Sequence, residues 1–153
     1  AKDYPVPKVL LEPGRSIVAN AGLTLYRVGG IKTIEGYRSY VTVNGGMTDN
    51  PRYALYKAPY TVVPASRMND AREVTCTVAG RCCESGDLIQ ENIQLPEMQR
   101  DDLLAVLTTG AYNFTMASNY NRLCRPALVM VHHGRARLAV RRQTFADLVA
   151  CDL

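Results

Sequence analysis

Residues 73–95 read EVTCTVAGRCCESGDLIQENIQL, two strand-forming runs separated by a turn. Val, Thr and Ile are frequent in EVTCTV and DLIQENIQL, and the Ser-Gly pair at positions 85 and 86 is typical of a tight turn. Runs of the same kind recur along the chain as VLLE, LTLYRVGGIKTI, YVTV, YTVV, LLAVLTT, ALVMV and RARLAV. Short strands at regular intervals, without long helices, predict a mainly β fold, an antiparallel Greek-key barrel or sandwich.

Helical signals are few and short. They lie in SIVANAG, around residues 113–118 and near the C-terminus, where Thr144 can cap a helix with Asp147 three residues later. HHGR at 132–135 joins two alternating runs into a predicted hairpin. The arginines of RARLAVRR alternate with apolar residues, which predicts a half-buried strand with one solvated face.

Length and composition limit the classes of function. At 153 residues with 47% hydrophobic content, the chain has the size and the apolar residues of one ordinary domain. The net charge of +4 is mild, so no nucleic-acid partner is expected, and no apolar run is long enough to span a membrane. An odd number of cysteines, five, without a signal peptide favours free thiols and a cytoplasmic location.

The adjacent cysteines 82 and 83 need a separate explanation. Neighbouring Cα atoms are about 3.8 Å apart, which is too close for a relaxed disulfide. Side chains alternate on an extended strand, so Cys82 and Cys83 are poorly placed to bind one metal ion, and the chain contains no CxxC spacing. We therefore expect no metal site. A single thiol next to a carboxylate and a turn remains as the candidate functional group.

Three further motifs carry candidate groups. EPGRS opens a helix whose free N–H groups and Arg15 suit a phosphate, although the same turn also occurs as a plain connection. NGGMTDNPRYALY places Arg52 and Tyr56 four residues apart, or is an ordinary surface loop. GAYNFTMASNYN begins with a glycine that lets the backbone approach a ligand, toward which Tyr112 would project.

EPGRSIVANAG, NGGMTDNPR, CESGD and GAYNFTMASNYNR, in this order and spacing, closely resemble the C-terminal half of the diaminopimelate decarboxylase family. The resemblance extends from VLLEPGR to RRQTFADLVACD. These enzymes use pyridoxal phosphate in the last step of lysine biosynthesis. A (β/α)8 barrel binds the cofactor and a C-terminal β-domain follows it, in a homodimer whose active sites lie at the interface.

The resemblance also implies how this chain is organised. Residues 1–24 are expected to be the end of the cofactor barrel, and residues 25–153 the β-domain. The family's Schiff-base lysine lies in the N-terminal barrel, and none of the four lysines of this chain stands in a matching motif. The chain by itself is therefore expected to be inactive.

The EPGR and GAY motifs are implied to serve the cofactor. In the family, the glutamate of EPGR faces the nitrogen of the cofactor ring, which accepts electrons best when it is protonated. Glu12 is therefore expected to be the partner of this nitrogen. Pro13, Gly14 and Arg15 are expected to help hold the cofactor, and Tyr112 to contact both cofactor and substrate.

The substrate of the family, meso-diaminopimelate, carries a carboxylate and an ammonium group at its far end. Arg15, Arg52, Tyr56 and Glu84 match the family's substrate contacts. The arginines and Tyr56 are expected to bind the distal carboxylate and Glu84 the ammonium group, because either charge is costly to bury without a partner.

Cys83 matches the cysteine of the family's CESGD, the proton donor that acts after carbon dioxide leaves. Thiols are mostly protonated at neutral pH, so they can serve as general acids. In the family this segment crosses the dimer interface, and Cys83 and Glu84 are therefore expected to serve the partner subunit. Cys82 matches a variable position and is expected to have only a packing role.

Two alternatives stay open. Ornithine and arginine decarboxylases share the fold and the EPGR motif, but their substrates have no distal carboxylate for Arg52 and Tyr56 to bind. A non-catalytic β-domain that dimerises through its loops is the second alternative. A binding module has no reason to keep one set of residues together: Arg15, Arg52, Cys83, Glu84 and Tyr112. One departure from the family pattern is Tyr53, where many relatives have proline.

Overall fold

The computed structural model describes residues 5–153, so the first four residues of the predicted segment 1–24 lie outside it. Six strands form its main sheet: β1 (Leu23–Ile34), β2 (Arg38–Val43), β3 (Val62–Pro64), β4 (Val74–Ala79), β5 (Leu88–Leu95) and β6 (Leu103–Leu107). They lie in the order β3-β6-β1-β2-β4-β5, and the edge strands β3 and β5 approach each other. The sheet therefore nearly closes on itself, which confirms the prediction of a mainly β, barrel-like fold.

The strand directions place the loops. Among the described pairs of this sheet, only β2 and β4 are parallel, with Val41 opposite Val78. The chain crosses from β2 to β3 at the far edge before it returns to β4, and this crossover lets two non-consecutive strands run side by side. The starts of β1, β3 and β5 and the ends of β2, β4 and β6 consequently share one end of the barrel, here called the loop end.

Side chains that alternate along the strands fill the barrel. In β2, Val41 and Val43 are buried while Tyr40 and Thr42, on the other face, are partly exposed, as the two-residue period of a strand requires. Leu104 and Val106 of β6 and Ile89 of β5 are fully buried in the same core. Each such aliphatic side chain stabilises the fold by roughly 1.5–3 kcal/mol. The packed core fixes the strand ends from which the functional loops emerge.

The hairpin predicted around HHGR is present. It consists of β7 (Leu128–His132) and β8 (Arg135–Val140), and both His133 and Gly134 at its turn have positive φ angles, of 48° and 72°. The prediction that this strand is half-buried is wrong, because every residue of β8 is exposed. Within the described residues β7 and β8 pair only with each other and form a separate two-stranded sheet.

The helices are short. They are α1 (Arg15–Val18), α2 (Arg52–Tyr56) and α3 (Phe145–Val149), with 3-10 turns at Ala19–Ala21, Phe114–Met116 and Tyr120–Arg122. The predicted capping box of α3 is confirmed, since Thr144 and Asp147 bond to each other's backbone N–H groups. No helix in the described part of the chain combines the length and the apolar character needed to cross a membrane.

The strand predicted at VLLE is absent. Val9, Leu10 and Leu11 are 72, 77 and 82% exposed and adopt no regular structure. A strand needs a neighbour that satisfies its backbone groups, and residues 5–153 supply none at this position. The first regular strand is β1, which begins two residues before the predicted domain boundary at residue 25.

Candidate active site

All four motifs meet at the loop end, where main-chain hydrogen bonds join them in pairs. The N–H of Arg81 donates to Gly45 O over 3.0 Å, which joins the CESGD turn to the NGG loop. The N–H of Ser118 donates to Thr48 O over 2.8 Å, which joins the loop after β6 to the same NGG loop. These bonds hold segments that are far apart in sequence at fixed positions.

A close backbone contact holds EPGR beside GAY. The N–H of Gly110 donates to Ala19 O over 3.0 Å, and the N–H of Thr109 donates to Gly22 O over 2.9 Å. A Cβ atom at Gly110 would lie only 2.0 Å from Val18 O. The glycine of GAY thus allows close approach of the chain's own backbone at Val18 and Ala19.

Arg15 is anchored by residues that the sequence did not single out. Its guanidinium donates to Tyr60 Oη over 3.4 Å and to Thr108 O over 3.4 Å, and it lies 5.4 Å from the centre of the Tyr60 ring. The Tyr60 hydroxyl donates in turn to Asn113 Oδ1 over 3.2 Å. Both Tyr60 and Asn113 are buried, so the Arg15 head group is attached to a fixed part of the barrel.

Arg52, Tyr56 and Tyr112 form a second cation and phenol group. The single turn of α2 places positions 52 and 56 on one helix face, and the Arg52 guanidinium carbon lies 4.6 Å from the Tyr56 ring centre and 5.5 Å from the Tyr112 ring centre. Tyr112 has a φ angle of 61°, a left-handed conformation that is unusual for a tyrosine.

Gly14 of EPGR touches the same phenol. A Cβ atom at this position would lie 2.6 Å from Tyr112 Oη, so a glycine leaves the room that the tyrosine needs. The structure thus brings together four residues predicted from three motifs: Gly14, Arg52, Tyr56 and Tyr112.

The NGG loop is held in place by a partly buried acid, Asp49. Asp49 accepts hydrogen bonds from the Tyr26 hydroxyl and, over 3.0 Å, from the N–H of Gly46. Burial raises the pKa of Asp49, and burial followed by the charge of Asp49 raises the pKa of Tyr26. The loop that leads to Arg52 is therefore tied to the barrel core.

Cys83 and Glu84 lie on the exposed surface of their turn. The N–H of Cys83 donates to Asn121 Oδ1 over 2.8 Å, so the turn is held against the loop after β6. The Glu84 carboxylate accepts from the N–H of Gly86 over 3.2 Å and from Ser85 Oγ over 3.3 Å. The thiol of Cys83 is thus accessible, and Glu84 is oriented by its own turn.

The remaining cysteines have different surroundings. All five cysteines of the chain are free, and Cys76 is buried in the core, where burial raises its pKa to about 11. Cys82 is partly buried, and burial followed by the charge of Asp87 raises its pKa. Both thiols are therefore held in the protonated form.

The structure does not bring all predicted site residues into one group. In the described part of the chain, no hydrogen bond or ion pair links Cys83 or Glu84 to Arg15, Arg52 or Tyr112. Two clefts, of about 430 and 320 Å³, lie at the opposite end of the barrel near Ser39 and Cys76. The predicted residues instead form an open surface, on which Glu12 and Pro13 are also exposed.

Residues 16–110 match the family described as pyridoxal-dependent decarboxylase, C-terminal sheet domain. The chain belongs to this family. Over 150 residues the chain is 51% identical to a diaminopimelate decarboxylase of Bacillus subtilis (strain 168), covering 98% of this chain and 34% of that protein. The chain is also 50% identical to a diaminopimelate decarboxylase of Synechocystis, over 99% of this chain and 32% of that protein. The chain thus spans about one third of the length of the curated relatives it matches.

A solved structure gives the same relation. The chain is similar to diaminopimelate decarboxylase from M. jannaschii in complex with L-lysine, with a TM-score of 0.87 and 35% identity over 97% of this chain and 33% of that one. A lysine/ornithine decarboxylase from Vibrio vulnificus in complex with cadaverine is less similar, with a TM-score of 0.63 and 29% identity over 72% of this chain and 30% of that one. Both solved structures share the fold of this chain. The likeness to the diaminopimelate decarboxylase covers more of the chain than the likeness to the lysine/ornithine decarboxylase.

Proposed function

We propose that this chain supplies the substrate-binding and proton-donating part of a decarboxylase that converts meso-diaminopimelate to L-lysine with pyridoxal phosphate. The main support is the group formed by Arg52, Tyr56 and Tyr112 beside Gly14, in a chain 51% identical to a diaminopimelate decarboxylase. A lysine-biosynthetic enzyme of this kind would act in the cytoplasm. Residues 1–24 would be the end of the cofactor barrel and residues 25–153 the β-domain.

The residues present fit the cofactor and a dicarboxylic substrate. Arg52 Nε and Asn113 Nδ2 are buried donors without a hydrogen-bond partner among the described residues, and Asn113 is joined to Arg15 through Tyr60. Cations and unpaired donors of this kind suit the anionic groups of both molecules. The cofactor would be contacted by the residues of two motifs, Glu12, Pro13, Gly14 and Arg15 of EPGR and Tyr112 of GAY.

When bound, pyridoxal phosphate supplies a ring that takes up the electrons left on the Cα atom as the bond to the carboxylate breaks and carbon dioxide leaves. Glu12 would keep the ring nitrogen protonated. The lysine that carries the cofactor is not among the residues that we assign on this chain. The chain alone is therefore expected to release no carbon dioxide.

Two arginines, a tyrosine and a glutamate would recognise the distal end of the substrate. Arg15, Arg52 and Tyr56 would bind the distal carboxylate, and the carboxylate of Glu84 would bind the distal ammonium group. The guanidinium carbon of Arg15 lies 5.4 Å from the ring centre of Tyr60, and that of Arg52 lies 4.6 Å from the ring centre of Tyr56. Because these rings already hold the arginines, little side-chain entropy is lost on binding. A substrate without the distal carboxylate would leave both cations unpaired.

Cys83 would donate the proton that completes the reaction. Its thiol would transfer a proton to the carbon from which carbon dioxide has left, and the thiolate would recover a proton from solvent. Two features support a homodimer in which each subunit donates these two residues to the other's site. Cys83 and Glu84 are exposed, and among the described residues no hydrogen bond or ion pair joins them to the Arg52 group.

The substrate is tested by carbon dioxide release from the natural full-length protein with pyridoxal phosphate. We expect release from meso-diaminopimelate, much less from ornithine, and none from residues 1–153 alone. Release from ornithine at an equal or higher rate would instead favour the ornithine-type alternative, because its substrate needs no distal cations. Absence of release from any amino acid would favour the non-catalytic β-domain.

The shared site is tested by mixing two inactive variants, Cys83→Ala and Arg52→Ala. In a mixed dimer, the Arg52 of one subunit and the Cys83 of its partner would form one intact site. Random mixing would then restore about a quarter of the wild-type activity. Mixing that restores nothing would contradict donation across the interface.

A further inference from the structure

Asp87, the last residue of CESGD, carries a carboxylate that is buried between two loops. The residue is 3% exposed. Its Oδ1 accepts the N–H of Met47 over 2.6 Å, and its Oδ2 accepts the N–H of Cys82 over 2.6 Å. One side chain thus joins the turn that carries the thiol to the NGG loop that leads to Arg52.

The main chain of Asp87 closes the same turn. Its carbonyl accepts the N–H of Gly80 over 2.8 Å, and its own N–H donates to Glu84 O over 3.1 Å. The first of these hydrogen bonds closes the base of the turn from Gly80 to Asp87, and the second bridges residues within the turn. Its tip, with Cys83, Glu84 and Ser85, is left exposed.

Two glycines from different loops fit around this carboxylate. A Cβ atom at Gly46 would lie 2.5 Å from Asp87 Oδ1, and one at Gly80 would lie 2.2 Å from Asp87 Oδ2. Any larger residue at either position would push the carboxylate away from its N–H donors. The Asp87 carboxylate therefore needs a glycine at both position 46 and position 80.

Backbone donors, not cations, stabilise the Asp87 charge. Across residues 5–153, the ion pairs of the structure involve other acids and leave Asp87 without a Lys, Arg or His partner. Hydrogen bonds from N–H groups to a carboxylate are short and directional. An asparagine has the same shape, but its NH2 group would face one of the two N–H donors.

We propose that Asp87 is a positioning residue that fixes the turn with Cys83 and Glu84 to the NGG loop of its own subunit, and so sets how the two side chains are presented to the site they serve. It does not touch the substrate, and it acts through the turn whose base it fixes. This inference rests on the proposed function, since it assumes that Cys83 and Glu84 act on a substrate. It assigns a task to the one charged residue of CESGD that the substrate contacts leave unused.

A double-mutant cycle tests the proposal in the natural full-length protein. We expect Asp87→Asn to lower kcat/KM for meso-diaminopimelate by at least about tenfold, with both a lower kcat and a higher KM. If Asp87 acts through Cys83, the kcat of the double variant with Cys83→Ala stays within about twofold of that of Cys83→Ala alone. Losses in kcat that multiply would show an independent structural effect and overturn the proposal.

Asp102→Asn is the matched control. Asp102 also accepts a backbone N–H, from Gln99 over 2.8 Å, but it precedes β6 at the opposite end of the barrel. We expect this variant to keep wild-type kcat and KM. Asp87→Asn should keep the cofactor absorbance of the wild type, because the cofactor contacts lie on the other motifs; if that absorbance is lost, the positioning role is wrong.

Hydrogen exchange separates this inference from the proposed function. Asp87→Asn should speed exchange of whichever amide faces the NH2 group, that of Met47 or that of Cys82, by at least about tenfold while the Gln99 amide is unchanged. Amide exchange tests the hydrogen bonds of Asp87 even if the wild type proves inactive on meso-diaminopimelate. Inactivity of the wild type would refute only the proposed function. Should Asp87→Asn not fold, Gly46→Ala should displace the same carboxylate with the same effects, and unchanged exchange in that variant would overturn the proposal.

Discussion

Replacement of Arg52 by lysine tests how the distal carboxylate is bound, because the charge is kept while the planar group is lost. In the structure the guanidinium carbon lies 4.6 Å from the Tyr56 ring centre and 5.5 Å from the Tyr112 ring centre. A flat guanidinium can stack on these rings and at the same time donate two parallel hydrogen bonds to a carboxylate, whereas an ammonium group donates as a point charge.

The size of the effect follows from these contacts. Loss of one charge-assisted hydrogen bond costs roughly 1.5–3 kcal/mol, and a weakened cation–π contact costs about 0.5–1 kcal/mol. The hydrogen bond is the larger contribution, so Arg52→Lys should reduce transition-state binding by at least about 2 kcal/mol. This corresponds to a decrease in kcat/KM of roughly 30-fold or more.

The assay is steady-state formation of L-lysine from meso-diaminopimelate by the full-length protein. Inhibition by L-lysine, which has a carboxylate, should weaken in Arg52→Lys, whereas inhibition by cadaverine, which has none, should not change. Arg67→Lys is the matched control, because Arg67 pairs with Asp70 and Asp102 at the opposite end of the barrel. If Arg52→Lys stays within threefold of the wild type, or if both inhibitors weaken equally, Arg52 does not bind the distal carboxylate.

Two further predictions concern the scaffold of the site. Gly110→Ala should lower the free energy of unfolding by about 1–3 kcal/mol, because its Cβ atom would lie 2.0 Å from Val18 O. Gly30→Ala is the control and should not lower it, because the nearest atom to its Cβ would be 3.7 Å away. Equal urea midpoints for the two variants would contradict the close contact at Gly110. Tyr53→Phe removes a 2.5 Å hydrogen bond to Glu91 and should cost roughly 1 kcal/mol at neutral pH. Burial and then Glu91 raise the pKa of Tyr53 to about 12, and the Tyr53 hydrogen bond lowers the pKa of Glu91. The Tyr53 contribution is therefore lost as pH rises through about 12, and the Glu91 contribution is lost as pH falls below its ordinary value of 4.5. Urea unfolding across pH should show the largest difference from wild type between these limits, and a difference independent of pH would refute the assignment.

The sequence predicted the strands of the barrel well because the two-residue period of Val, Ile and Thr is a local signal. The hairpin and the cap of α3 were found for the same reason, since Gly134 and the pair Thr144 and Asp147 act within a few residues. VLLE carries the same local signal but has no pairing strand among the described residues. Exposure of β8 was likewise unpredictable, because the period of a strand does not specify what packs on its apolar face.

The motif residues of the site could be located from sequence, but their supports could not. Arg15 meets Tyr60 across 45 residues, and Tyr60 meets Asn113 across 53 residues. No local pattern reports contacts of this length. The helix α2 was also missed, because RYALY is a single turn between Pro51 and Lys57, too short for a helical period to show.

The most direct test of the central claim is the rate of lysine formation by the full-length Cys83→Ala variant, with Cys151→Ala as the control for loss of an exposed free thiol. We expect Cys83→Ala to lower kcat by about 100-fold or more, the usual contribution of a general acid, while cofactor absorbance is kept. Cys151→Ala should match the wild type. Wild-type kcat in Cys83→Ala would show that this chain does not donate the proton.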